Sequence, residues 1–146
     1  MHWIKLLEAL NCKPVESDAK IHINKMFQFM RISLDYSEVF KDTGGVHCVA
    51  LCDSEEMLVV YEDVARHNAL DKVIGESLMR GIFLKDKAVI LSGRVSLEMI
   101  LKAAKLEIPI IISKSAPTSL SVSLAKKLNI TLVHIVTGKQ IGRAHV

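Results

Sequence analysis

Apolar and polar positions along the chain follow two rhythms. Residues 46–52 and 57–61 are apolar runs separated by Asp53-Ser54-Glu55-Glu56, the pattern of a hairpin. After them the period lengthens, and Leu70, Val73, Ile74 and Leu78 fall on one face of a helix. The alternation then becomes regular. Residues 87–91 read as a strand and 97–106 as a helix with Ile100, Leu101 and Ala104 inward. Residues 108–112 form a continuous apolar strand, as expected where helices cover both faces. A helix over 119–128 follows, led by Pro117 and closed by Asn129, and 130–136 is the last strand. Upstream, 3–10 is a short apolar helix broken by Asn11-Cys12-Lys13-Pro14, and 19–23 is a short alternating piece. Asn24 is placed to cap a helix bearing Met26, Phe27, Phe29, Met30 and Leu34. That helix ends near Asp35-Tyr36-Ser37, before a link with Val39 and Phe40.

Strand, helix, strand, helix, strand with short links predicts parallel strands joined by right-handed crossovers, hence an α/β fold. Each strand-to-helix turn then lies at the carboxyl edge of the sheet, where open α/β folds bind ligands. The turns arriving there are 62–68, 92–96, 113–118 and 137–139. The hairpin brings Thr43-Gly44-Gly45 beside Glu62-Asp63 at the same edge. The opposite turns, 81–86 and 105–107, carry no comparable polar cluster.

The stretch 62–75 stands at the centre of this edge. Five of its first seven residues are Glu62, Asp63, Arg66, His67 and Asn68, more polarity than a short turn with one cap requires. A solvated turn with a structural histidine is the plain alternative to a ligand-binding edge. Helix amino ends attract anions, and Arg66, Lys72, Arg94 and Lys114 lie near them. Gly44, Gly45 and Gly93 allow close approach of backbone, and Ser, Thr and Asn supply further contacts. Together these features suit a phosphorylated, nucleotide-like ligand. His67, near Glu62 or Asp63, suits either acid–base work or simple hydrogen bonding.

Composition narrows the classes. With 146 residues, 50% hydrophobic and 24% charged, the chain reads as one globular domain able to bury roughly two thirds of its unfolded surface. A net charge of +3 and 5% aromatics argue against nucleic acid. No apolar run approaches a membrane span, and the first residues lack the blocks of a signal peptide. The reading is therefore cytoplasmic. Cys48 and Cys52 share one strand face and read as buried thiols in a reducing compartment, and Cys12 falls in a loop with only Lys13 adjacent to activate it. Walker-type and Gly-x-Gly-x-x-Gly loops, a nucleophile elbow, Cys-x-x-Cys and deaminase-type zinc spacing are all lacking, so neither metal ligands nor a catalytic residue are assigned.

Four segments carry a resemblance: Thr43 to His47 (TGGVH), Glu62 to Gly75 (EDVARHNALDKVIG), Ser92 to Met99 (SGRVSLEM) and Ser115 to Leu120 (SAPTSL). In this order they resemble the formate dehydrogenase accessory sulfurtransferase family, FdhD, over about 40–136. Ala65 stands where that family has Gly. The resemblance implies a three-layer α/β/α mixed sheet, cytidine-deaminase-like and without zinc. It implies a sulfur carrier that takes sulfur from a cysteine desulfurase. The sulfur goes to a molybdenum or tungsten bis-molybdopterin guanine dinucleotide cofactor destined for the formate dehydrogenase catalytic subunit. A homodimer is also implied. The cofactor-binding set carried onto this chain is Thr43, Gly44, Gly45, His47, Glu62, Asp63, Arg66, His67, Asn68, Asp71, Lys72, Ser92, Gly93, Arg94, Ser96, Ser115, Thr118, Thr137, Gly138 and Lys139.

The chain departs from the family pattern at both ends. The persulfide loop, of Cys-Gly-x-Cys-Gly type, is not matched by Asn11-Cys12-Lys13-Pro14. Thr137-Gly138-Lys139-Gln140 stands where an Arg-Gly-x-Arg-type segment is expected, and 141–146 read as a translated sequencing adapter. The expected organisation is a residual helical region over 1–40, a cofactor-binding core over 41–140 and an extraneous tail. In this reading the chain is a truncated part without its own nucleophile. The competing readings are a nucleotide-binding or assembly module that acts without catalysis and a zinc hydrolase of deaminase type.

Overall fold

The structure, a computed structural model, describes residues 3–39, 46–136 and 141–143, with side chains over 3–35 and 46–136. Within them, five helices, α1 (Trp3–Ala9), α2 (Ile23–Val39), α3 (Arg66–Met79), α4 (Leu97–Lys105) and α5 (Ser119–Lys127), accompany six strands. The strands are β1 (His47–Cys52), β2 (Met57–Asp63), β3 (Ala88–Leu91), β4 (Ile110–Ser113), β5 (Thr131–Ile135) and β6 (Ile141–Arg143).

The strands form one mixed sheet in the order β2-β1-β3-β4-β5-β6. β1 runs antiparallel to both β2 and β3, while β3, β4 and β5 are parallel. Since β2 and β3 both oppose β1, they share a direction. The carboxyl ends of β2, β3, β4 and β5 and the amino end of β1 therefore lie along one edge. The hairpin register puts His47 opposite Asp63, so the start of β1 and the end of β2 share that edge; the Thr43-Gly44-Gly45 turn expected beside Glu62-Asp63 lies outside the described residues.

Each crossover steps in the same direction along the sheet, so the right-handed rule places α3, α4 and α5 on one face. Their buried stripes pack with Val49, Leu51, Val89, Leu91, Ile111 and Leu132 of the strands, and α1 joins them through Trp3 and Leu7. The opposite strand face, Ala50, Cys52, Ala88, Ile90, Ile110, Ile112, Val133 and Ile135, is covered by α2 through Met26, Phe29 and Met30. Cys48 and Cys52 alternate with Val49 and Leu51 and point to this second face, as their spacing predicts. The layers are thus α/β/α, with four helices on one side and one on the other.

Four helices end alike, and this shifts the strand boundaries from those read in the sequence. Asn11, Gly81, Glu107 and Asn129 have φ of 53°, 66°, 62° and 56°, and the next residue donates back across the last turn, as Ile108 N does to Ala103 O at 2.8 Å. Ile108 is spent on closing α4, so β4 begins at Ile110 and extends to Ser113. On α3, Ser77 and not Leu78 occupies the buried stripe. Ser77 donates its hydroxyl to Val73 O at 2.6 Å, and Leu78 is 56% exposed. Residues 19–22 are not a strand: the Ser17 hydroxyl bonds Lys85 O and accepts from Ala19 N, giving a local turn in place of a ladder. The α2 entrance is served by His22, whose Nδ1 accepts from Asn24 N at 3.1 Å, and the helix runs past Asp35-Tyr36-Ser37 to Val39. Ile141–Arg143, set aside from fold reasoning in the sequence, pair antiparallel with β5, a backbone ladder that asks little of side-chain identity.

Candidate functional site

Three helix entrances meet at the carboxyl edge, and they are built differently. At α4 the Ser96 hydroxyl accepts from Met99 N at 3.2 Å, and at α5 Thr118 Oγ1 accepts from Ser121 N at 3.1 Å. These are ordinary caps that satisfy first-turn N–H groups. At α3 the cap position is Ala65, extended at φ −106° and ψ 116°, with no side-chain cap bond. Its first turn therefore keeps N–H groups pointed at the edge, where Arg66, His67 and Asn68 stand.

Asp63 shapes the approach to that turn. One carboxylate oxygen accepts from Ala65 N at 2.9 Å and the other pairs with Lys72 at 2.8 Å. The Lys72 bond, seconded by the Ala65 N–H, holds the Asp63 carboxyl below the usual carboxylate range. Asp71 is likewise engaged, by Lys102 of α4 at 2.7 Å. Asp63, Asp71 and Lys72 thus fix the geometry of the turn through each other and α4.

Across the edge, Ser92 locks the β1–β3 seam: its hydroxyl accepts from Cys48 N at 2.9 Å and its N–H donates to Cys48 O at 3.0 Å. Gly93 then lies against His47, so closely that a Cβ there would stand 2.9 Å from His47 Nδ1. The absence of a side chain at 93 is what lets the imidazole occupy the edge. Arg94 is exposed and Ser115 half-buried, and Ser113 anchors the latter's loop by donating to Ser115 O at 2.6 Å. Glu62, opposite Cys48 in the hairpin register, completes the set at the end of β2. Thr43, Gly44, Gly45, Thr137, Gly138 and Lys139 lie outside the described residues.

Two features of the site have no counterpart among the sequence candidates. His67 Nδ1 is buried without a hydrogen-bond partner, and the nearest carboxylate is Glu98 of α4, at 3.8 Å, not Glu62 or Asp63. The signal was present inside Ser92–Met99, but only the packing of α3 on α4 brings the pair together. On the α2 face, an open groove of about 290 Å³ runs between α2 and the ends of β4 and β5, lined by Phe27, Met30, Arg31, Leu34, Lys114 and Ile135. Arg31 is one of several polar residues on α2, with Lys25, Gln28 and Asp35, so the sequence carries no signal that singles it out.

The three thiols are poor nucleophiles. Burial, seconded by Glu62, pushes Cys48 up to about 11, and burial with Asp53 pushes Cys52 up to about 12. Cys12 is 6% exposed and also raised by burial, against a smaller opposing effect of Lys105 rather than Lys13. Among the described residues no three His, Cys, Asp or Glu side chains are grouped to hold a metal ion. Among them, too, no helix is long and apolar enough to cross a membrane.

Comparison with known proteins agrees with this architecture. The model of the FdhD/NarQ family matches residues 2–142. The sulfur carrier protein FdhD of Bacillus subtilis is 43% identical over 135 residues, which is 92% of this chain and 52% of that protein. Its namesake in Listeria monocytogenes is 46% identical over 116 residues, covering 80% of this chain and 44% of its own length. The chain thus spans about half the length of these curated relatives. A crystal structure described as a formate dehydrogenase accessory protein from Desulfotalea psychrophila superposes with a TM-score of 0.79 at 35% identity, over 92% of this chain and 58% of that one. With a family match over nearly its whole length, and a mixed α/β sheet that overlays a solved relative, the chain belongs to the FdhD/NarQ family.

Proposed function

We propose that this chain is the cofactor-binding core of an FdhD-type sulfur carrier. The whole protein would take sulfur from a cysteine desulfurase as a persulfide. It would deliver that sulfur to a molybdenum or tungsten bis-molybdopterin guanine dinucleotide destined for the formate dehydrogenase catalytic subunit. The metal dinucleotide is the cargo, and its guanosine diphosphate arms are what the carboxyl edge holds. The core of this reading is cytidine-deaminase-like in its layers, is homodimeric, works in the cytoplasm and needs no zinc of its own.

One observation carries the proposal: of the three helix entrances at the edge, α3 alone has no side-chain cap, and it is the one flanked by Arg66, His67 and Asn68. An uncapped amino end with a neighbouring guanidinium is a natural seat for a diphosphate. The apolar groove with Arg31 and Lys114 at its rim offers a second surface at the same edge. Sulfur relay needs an accessible thiolate, and burial denies that to Cys12, Cys48 and Cys52. In this reading the persulfide cysteine belongs to the family's remaining length, and Arg66, His67 and Asn68 hold the cargo without attacking it.

Isothermal titration of the chain with guanosine diphosphate and adenosine diphosphate tests the reading. The expected result is measurable binding with preference for the guanosine nucleotide, and no sulfur transfer. Equal affinity for the two nucleotides would remove its basis. The buried thiols also support a second reading, a nucleotide-binding assembly module without catalysis. Sulfur transfer by the same polypeptide extended to include a Cys-Gly-x-Cys-Gly loop would reject it.

A further inference from the structure

α3 and α4 lie side by side, and two polar pairs cross their seam. Asp71 meets Lys102 at 2.7 Å, and one turn nearer the edge His67 meets Glu98 at 3.8 Å. Both helices advance four residues between the pairs, so the two contacts are successive rungs of one ladder. The rungs have opposite sense, acid on α3 in one and acid on α4 in the other. The buried stripes of α3 and α4, with Leu70, Val73, Met99 and Ala103, set how the helices lie, and the exposed Asp71–Lys102 pair marks the register that places Glu98 beside His67.

Within the imidazole the two nitrogens are unlike. Nδ1 is buried and unpartnered, while the side chain as a whole is 37% exposed, so its accessible surface belongs to other atoms. A separation of 3.8 Å is too long for a hydrogen bond. The Glu98 side chain is 76% exposed and is free to swing inward, and acid–base pairs in unliganded sites commonly tighten only when a ligand arrives. The other charges around the ring are Arg66 and Asp71 on α3, Lys102 on α4, and the Asp63–Lys72 pair at the end of β2.

We propose that Glu98 is a positioning residue for His67: it draws the imidazole proton to Nδ1 and leaves Nε2 as an acceptor for the bound ligand. The tautomer of a neutral histidine is set by the hydrogen bond its other nitrogen makes, and a carboxylate behind the ring is the strongest such partner. An Nε2 lone pair has nothing to offer a bare phosphate oxygen. It selects a donor, a ribose hydroxyl or the N–H edge of a guanine, so the pair gives the site a preference for nucleoside over inorganic diphosphate. That last step rests on the nucleotide reading above; the tautomer does not.

Ring-nitrogen resonances of the full chain, labelled with nitrogen-15 and recorded at alkaline pH without ligand, give the tautomer directly, with His67→Gln assigning the signals. The expected result is Nδ1–H in the native chain, reversal to Nε2–H in Glu98→Ala, and retention in Glu98→Gln, whose amide oxygen still accepts. Glu98→Ala is expected to weaken guanosine diphosphate by about three- to tenfold, the cost of one neutral hydrogen bond, with inorganic pyrophosphate affinity unchanged. The same tautomer in the native chain and in Glu98→Ala overturns the proposal. So does an equal loss for both diphosphates. A reversal of tautomer in a chain that binds neither diphosphate sustains the pair and refutes the nucleotide site. Since Glu98 is exposed, the amide spectrum of each variant should match the native one and exclude misfolding.

Discussion

Replacing Gly93 by alanine sets two known effects against each other. The backbone at Gly93 is not left-handed, so alanine incurs no torsional strain and gains about 0.4–1 kcal/mol by restricting the unfolded chain. Against that, its Cβ would stand 2.9 Å from His47 Nδ1 and 3.3 Å from Cε1. His47 is half-buried, and the atoms in contact are the far end of its side chain. The seam that pins Cys48 holds the backbone of β1 and leaves the imidazole its own rotation, so the contact is relieved by turning the ring out of its seat, at about 0.5–1.5 kcal/mol for an off-rotamer side chain. The two effects nearly cancel, so at about 3 °C per kcal/mol for a domain of this size Tm should move by no more than roughly 3 °C, and the displaced imidazole is the larger consequence. Gly75 supplies the control. It lies inside α3 with nothing within 4 Å of the methyl that alanine would add, so Gly75→Ala should raise Tm by about 3 °C through helix propensity alone. Thermal unfolding by circular dichroism measures both, and titration with guanosine diphosphate should show weaker binding only for Gly93→Ala. A Gly93→Ala variant that gains as much Tm as Gly75→Ala and binds guanosine diphosphate as the native chain does would refute the close approach of Gly93 to His47.

Two further outcomes follow from the titratable groups. Because burial raises all three thiols, a chromogenic disulfide at pH 8 should label none of them within minutes in the folded chain and all three after unfolding; one fast equivalent would place a usable nucleophile in this chain. The Asp63 carboxyl is depressed by Lys72 and the Ala65 N–H, so its stabilising effect is complete above the unfolded-state carboxylate range and is lost as pH falls through the lower folded value. Asp63→Asn should therefore flatten the acid limb of a Tm-against-pH profile, while a limb of unchanged slope would show that the ion pair does not operate in solution.

The sheet is legible in the sequence because its strands carry their own signal. Residues 108–112 and 130–136 are apolar runs too short for helices, and four polar residues between two such runs mark the hairpin. From that alternation the shared edge follows by topology alone, while the pairing of His47 with Asp63 depends on a register irregularity at Leu51/Cys52 that the pattern does not record. The boundaries are less legible, since the residue after each left-handed position, such as Ile108, is claimed by the helix it closes, and apolarity does not record that. Leu78 departs from its expected place for a related reason: a serine whose hydroxyl turns back to its own helix can be buried as readily as a leucine can be left outside.

The site is legible as a place and less so as a set of roles. Ser92, Ser96 and Thr118 each bear the hydroxyl that a phosphate site would use, yet each has an acceptor position filled by a backbone N–H of this chain. Composition cannot separate a hydroxyl that caps from one that binds, because both tasks ask for the same oxygen at the start of a helix. What separates them is accounting of the N–H groups. Where a hydroxyl closes the first turn, as at α4 and α5, the edge has less left to offer a ligand. At α3, Ala65 has no side-chain oxygen to give, Asp63 is spent on Ala65 N and Lys72, and the first turn faces the edge beside Arg66 and a histidine whose buried nitrogen lacks a partner. The residue that makes α3 the best seat for an anion is therefore an alanine, which no search for polar side chains would select.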